Sequence, residues 1–181
     1  MVYLFLTDKF EEVEALTAVD LLRRAEIDLV TVSINGTKSV CGSHNIKVEA
    51  DMLIEDVDWT KGECIVLPGG PGTGALNECK LLMENVDAYI KNGKPVGAIC
   101  AAPAKVLGVN GYLKGKNAVC YPGLEDLLID ANVMYVPVVT DGNITTARGA
   151  GCAADFALEL IAVLKGREVS DKIAESIVYS A

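Results

Sequence analysis

The first thirty-four residues leave few ways to fold. Val2–Leu6 is an unbroken apolar run of strand length, which marks a strand buried on both faces. Thr7-Asp8 then reads as a turn and helix cap. An apolar stripe through Val13, Leu16, Val19, Leu21 and Leu22 follows at helical spacing, to about Ala25, and Asp28–Ile34 alternates as a second strand. Two strands joined by a helical crossover of that length must run parallel, and a parallel sheet needs helices on both faces.

The pattern repeats. Asn35-Gly36 is a turn, and Thr37–Ile54 holds short segments such as Ile46–Val48 that read as an excursion from the main sheet. Glu63–Leu67 is another buried-strand run, ending in Pro68-Gly69-Gly70-Pro71-Gly72 before a helical stretch with Leu76, Leu81, Leu82, Val86 and Ile90. After the strand before Cys100 come Val136–Thr140 and Ile144–Ala147, then Arg148-Gly149-Ala150-Gly151 and a helix from Ala154 to Leu164 stopped by Gly166. Asp171–Val178 reads as a last short helix. The alternation predicts one domain over residues 1–181, a three-layer α/β/α sandwich around a mostly parallel sheet, with its functional face at the carboxyl ends of the strands.

One junction stands out chemically. Pro95–Leu107 passes from a short apolar strand into an alanine-rich helix at Cys100, with Ala98 and Ala102 two residues to either side. Small-x-nucleophile-x-small is the pattern of a nucleophile elbow, where a strained corner tolerates only small neighbours. A cysteine at a helix N-terminus is expected to lose its proton more readily, because free amides and the helix dipole favour the thiolate. The competing reading is a buried cysteine acting as a small apolar residue.

Composition narrows the partners. The chain has 181 residues, 51% of them hydrophobic, and a net charge of −9; no basic cluster offers a nucleic-acid or anionic-membrane surface. No apolar run is long enough to span a bilayer, and Met1–Leu6 is too short for a signal peptide and lacks a basic leader. Six isolated cysteines and a single histidine, His44, form neither a zinc-spacing motif nor a redox dithiol. We expect a reducing, cytoplasmic home, with no metal.

Leu67-Pro68-Gly69-Gly70, then Gly97-Ala98-Ile99-Cys100-Ala101-Ala102-Pro103, with Glu11-Glu12-Val13-Glu14 early and Thr146-Ala147-Arg148-Gly149 late, resemble the ThiJ/PfpI family (class I glutamine amidotransferase-like superfamily), within it the branch of the parkinsonism-associated deglycase. The resemblance implies the flavodoxin-like form of the sandwich and a homodimer. It carries the family's reactive cysteine onto Cys100 and its acid onto Glu14. The family's oxyanion-binding amides fall on Gly70 and Ala101, and further pocket positions on Gly69, Tyr121, Arg148 and Arg24. Taken as bare residues, Glu14 also fits a solvated helix-face charge and Pro68-Gly69-Gly70 a plain tight turn.

The chain departs from that pattern at Tyr121, where this branch often has a histidine, and at Ala101, where the peptidase branch has one. A phenol is a poor base at neutral pH, and without a Cys-His pair proteolysis is not expected. The resemblance implies a cofactor-free glyoxalase or deglycase acting on methylglyoxal or its thiol and amine adducts. The alternative is an oxidative-stress protein in which Cys100 itself is oxidised, with Cys120 as a candidate resolving thiol.

Overall fold

The computed structural model describes residues 1–180. In chain order it comprises β1 (Val2–Leu6), α1 (Glu12–Arg24), β2 (Leu29–Ser33), β3 (Ser39–Cys41), β4 (Lys47–Glu49), β5 (Met52–Leu53), β6 (Cys64–Leu67), α2 (Gly74–Glu78), α3 (Lys80–Lys91), β7 (Val96–Ile99), β8 (Asn117–Ala118), β9 (Asn132–Val133), β10 (Val138–Asp141), β11 (Ile144–Ala147), α4 (Ala153–Lys165) and α5 (Arg167–Ser176). Seven strands form one sheet in the order β10-β11-β7-β6-β1-β2-β5. All neighbours are parallel except the edge pair β10–β11.

The unbroken apolar run of β1 has the physical meaning expected of it. Val2, Leu4 and Leu6 point into one core with Leu22 of α1 and with Phe156 and Leu160 of α4. Tyr3 and Phe5 point into the opposite core with Leu82, Val86 and Tyr89 of α3 and with Leu107. Period-2 alternation thus feeds both faces of the sheet. The mixed, mostly parallel sheet with helices on both sides is the sandwich that the alternation implied.

Several local readings are corrected. Thr7 and Asp8 do not cap α1: its N-cap position is Glu11, with no side-chain cap bond. Thr7 Oγ1 instead reaches Asn35 Oδ1 at 3.2 Å, and Asp8 Oδ1 accepts the Cys41 amide at 2.9 Å. The excursion is real, since β3 and β4 form their own antiparallel ribbon, but β5 returns to the edge of the main sheet. The helix over Leu76–Ile90 is broken at Cys79, whose ψ of 97° is extended. Short strands β8 and β9 had no signal in the sequence, each being two residues long.

The strand order does the functional positioning. β7, β6 and β1 are side by side and parallel, so the turns leaving their carboxyl ends crowd together. Those turns carry Cys100, Gly69-Gly70 and the run from Thr7 to α1.

Candidate active site

Cys100 follows the last residue of β7 and has φ of 65°, a left-handed backbone that a residue with a Cβ seldom adopts. Such a conformation costs on the order of 1–2 kcal/mol. It is held from both sides: the Cys100 amide donates to Ala147 O at 2.9 Å, and its carbonyl accepts from the Tyr121 amide at 2.7 Å. This is the strained elbow that the small neighbours at 98 and 102 implied. The helix beyond it is shorter and wider than expected. Pro103–Gly108 winds as a π-type turn, with Val109 N–H donating to Ala104 O; such widened turns recur at functional sites.

Glu14 projects from the first turn of α1 and is 1% exposed, so the solvated helix-face reading does not hold. Its Oε2 accepts the Gly69 amide at 2.9 Å, while Oε1 is buried without a conventional partner. The carboxyl faces the Cys100 thiol, which donates to it, and the Gly70 and Ala101 amides point at the same sulfur.

Gly69 and Gly70 are needed for different reasons. A Cβ on Gly69 would lie 2.5 Å from Cys100 Cβ and 2.7 Å from Glu14 Oε2, directly in the contact between the pair. Gly70 has φ of 105°, and a Cβ there would strike the backbone of Lys9 and Glu11 at 2.4 and 2.6 Å. A plain tight turn does not require either of these approaches.

The electrostatics differ from the expectation of a simply acidified cysteine. Burial, then the Glu14 charge and its hydrogen bond, push the Cys100 thiol up to about 12, against the lowering by the Gly70 and Ala101 amides. Burial also raises Glu14 to about 7, opposed by the bonds from Cys100 and Gly69 and helped by Glu11. The helical turn after Cys100 is too short to outweigh burial. Two groups that each resist ionising beside the other titrate as a unit. The pair gives up one proton near neutrality and retains the second, which sulfur and carboxyl can exchange.

Burying Glu14 has a measurable cost. Its folded-state pKa lies above its unfolded value, so the native state holds a proton that the unfolded chain releases, and stability declines as pH rises from about 4.5 to about 7. Glu14→Gln keeps an acceptor for Gly69 and removes the charge. We expect it to unfold at higher temperature or denaturant than wild type at pH 7.5, by on the order of 2 kcal/mol, with the gain shrinking below pH 5.

The sulfur is reachable. Cys100 is 9% exposed, and it opens on a cavity of about 430 Å³ lined by Glu11, Gly70, Pro71, Cys100, Ala101, Lys105, Tyr121, Pro122 and Leu124. The structure therefore brings together Cys100, Glu14, Gly69, Gly70, Ala101 and Tyr121, the last half exposed on the rim at 52%. Arg24 and Arg148 do not belong to this group. Arg24 pairs with Asp20 at 2.7 Å in the last turn of α1, and exposed Arg148 sits beside Cys152. Neither arginine lines the cavity within one chain.

Sequence reasoning missed Glu11 and Lys105 as lining residues. Helical phase offered a signal for Lys105, which lies four residues after Ala101 and thus on the same side of the turn. It also read His44 as solitary, yet His44 Nδ1 lies 3.0 Å from Glu12 Oε2 and 3.7 Å from Glu11 Oε1. No local spacing motif could show this, because the contact spans some thirty residues. Cys120 is buried with its Sγ toward Tyr121 O at 3.5 Å, and burial followed by Glu125 pushes its thiol up to about 11. That environment suits an inert core thiol.

The DJ-1/PfpI family model matches residues 1–163. The chain belongs to the DJ-1/PfpI family. Among curated members, Protein DJ-1 homolog A of Arabidopsis thaliana is 37% identical over 164 residues, which are 90% of this chain and 42% of that protein. The chain thus spans about two-fifths of the length of that plant relative. Among solved DJ-1/PfpI structures, one described as oxidized DJ-1 of Toxoplasma gondii superposes with a TM-score of 0.95 at 35% identity, covering 99% of this chain and 98% of that one.

Names within the family point to more than one chemistry. A Caenorhabditis elegans relative named as the glutathione-independent glyoxalase DJR-1.2 is 28% identical, covering 92% of this chain and 89% of that protein. A Pyrococcus abyssi relative named as a deglycase is 30% identical, covering 87% and 95%. YraA of Bacillus subtilis, named as a cysteine protease, is 34% identical, covering 88% and 95%.

Proposed function

We propose that this DJ-1/PfpI protein is a cofactor-free glyoxalase or deglycase, acting on methylglyoxal or on its adducts with thiols and amines. The observation that carries the reading is the buried Glu14 carboxyl beside the sulfur of Cys100, with the Gly70 and Ala101 amides aimed at that sulfur. The relatives named as glyoxalase and deglycase support it. Cys100 as thiolate adds to the aldehyde carbon, and the new oxyanion is stabilised by the neighbouring amides. Glu14, carrying the shared proton, returns it to oxygen and then moves a proton between the two former carbonyl carbons. Water releases lactate and restores the sulfur.

Among the described residues no histidine lines the cavity, so the relay rests on Glu14 alone and turnover is expected to be slow. The same lack separates the site from a Cys-His peptidase, despite the protease name of one relative. The reading includes a homodimer, supported by the exposed apolar residues Val13 and Leu16 on α1, and action in a reducing, cytoplasmic compartment, supported by six free cysteines.

A second reading draws on the Toxoplasma structure described as oxidized. In it hydrogen peroxide oxidises Cys100 to sulfenic and then sulfinic acid, each step placing one peroxide oxygen on sulfur and releasing one water, and Glu14 hydrogen-bonds the product. Glu14→Gln separates the two. As an enzyme, the variant should lose about a hundredfold in lactate formed from methylglyoxal; as a sensor, it should still gain oxygen at Cys100 by mass spectrometry while wild type shows no lactate production.

A further inference from the structure

Lys105 is the one charged residue between Lys94 and Lys114, set among buried neighbours Ala104 and Val106. Its amide donates to Ala101 O at 2.8 Å, which places Lys105 one turn beyond the residue that follows the sulfur. The side chain lines the same cavity as Cys100. Other lysines have partners or water. Lys61, Lys91, Lys114, Lys116 and Lys172 pair with acids, while Lys9, Lys47 and Lys80 are exposed. Lys105 is half-buried, and among the described residues its ammonium has neither an acidic nor a carbonyl partner.

The acid that shares the cavity is already engaged. Glu11 Oε2 accepts from Ser43 Oγ at 3.0 Å, and its Oε1 lies 3.7 Å from His44 Nδ1. The cavity, with Pro71, Ala101, Pro122 and Leu124 among its apolar lining, thus carries an engaged carboxylate on one wall and a free ammonium on another. Its volume of about 430 Å³ also far exceeds what a three-carbon aldehyde fills, and lies in the range of pockets for larger ligands.

We propose that Lys105 is a specificity-determining residue, and that the cavity prefers a reactive carbonyl compound bearing a carboxylate, such as the adduct of methylglyoxal with a thiol acid or an amino acid. The substrate class rests on the glyoxalase or deglycase reading; the cation's pull on an anion near the sulfur does not. An ammonium in a partly closed cavity attracts a carboxylate more strongly than one in open water, and with no resident partner it has no ion pair to break before it takes one.

The test uses two reagents of nearly equal size and opposite character, iodoacetate and iodoacetamide, in each of which the thiolate displaces iodide. The rate at Cys100 is followed on its own peptide by mass spectrometry, since five other cysteines are free. We expect Lys105→Met to lower the ratio of iodoacetate to iodoacetamide rates about fivefold, and Lys105→Arg to keep it within about twofold. An unchanged ratio in Lys105→Met would overturn the proposal. In a second arm, lactate release is compared for methylglyoxal mixed with 3-mercaptopropionate or with 2-mercaptoethanol. Lys105→Met should raise KM several-fold for the acidic adduct only. If wild type converts neither adduct while the alkylation ratio still depends on Lys105, the role of the cation stands and the reading of the reaction fails.

Discussion

Cys100→Ser is expected to reduce lactate formation from methylglyoxal by about a thousandfold or more while leaving the unfolding transition close to that of wild type. The hydroxyl is smaller and less polarisable than the thiol, yet it accepts the same left-handed corner, so the fold has no reason to change. What changes is the acid–base match. A serine hydroxyl is far harder to ionise than a thiol, and Glu14, raised only to about 7, is too weak a base to make up the difference. Circular dichroism and thermal melts establish the fold, and a coupled lactate assay reads the loss. A serine variant with undiminished activity would remove Cys100 from the chemistry altogether.

Gly69→Ala should be almost as damaging for a different reason. The added methyl would sit 2.5 Å from Cys100 Cβ, 2.7 Å from Glu14 Oε2 and 3.0 Å from Cys100 Sγ, so it must push the two functional side chains apart. Glu14 Oε2 and Cys100 Sγ can swing aside, but Cys100 Cβ is fixed by its own left-handed backbone, so the corner must also shift and the cost in stability should reach about 3 kcal/mol or more. Catalysis should fall about a hundredfold, because a proton shared across a hydrogen bond cannot cross a methyl group. Combined with Glu14→Gln, the glycine substitution should add little further loss, since each change disables one and the same unit. Full additivity of the two would mean that Gly69 acts on something other than the pair.

Much of this was legible in the chain. Alternation of buried-strand runs with helical stripes implied the parallel sheet, because period 2 and period 3.6 cannot be exchanged. The small residues at Ala98 and Ala102 announced the corner at Cys100, which the φ of 65° bears out. The burial of Glu14 was not legible in the residues alone: three acids in four positions at a helix start look like a solvated first turn, and only the family resemblance singled out the third. The thiol's electrostatics ran opposite to expectation, since burial depends on packing from three strand ends distant in sequence. Arg24 and Arg148 are not among the residues that line the cavity within one chain, since a motif position fixes the backbone and not the direction of a long side chain. The His44 contact with Glu11 and Glu12 was hidden by separation along the chain.

The proton held between Cys100 and Glu14 can be measured directly from the pH dependence of Cys100 alkylation by iodoacetamide, in wild type and in Glu14→Gln. Wild type should show a first rise with a midpoint near 7, below the ordinary cysteine value, and a second rise toward 12. Glu14→Gln should collapse this to one step at a different midpoint. A single midpoint at or above about 9 that is the same in both proteins would contradict the shared proton and the chemistry built on it.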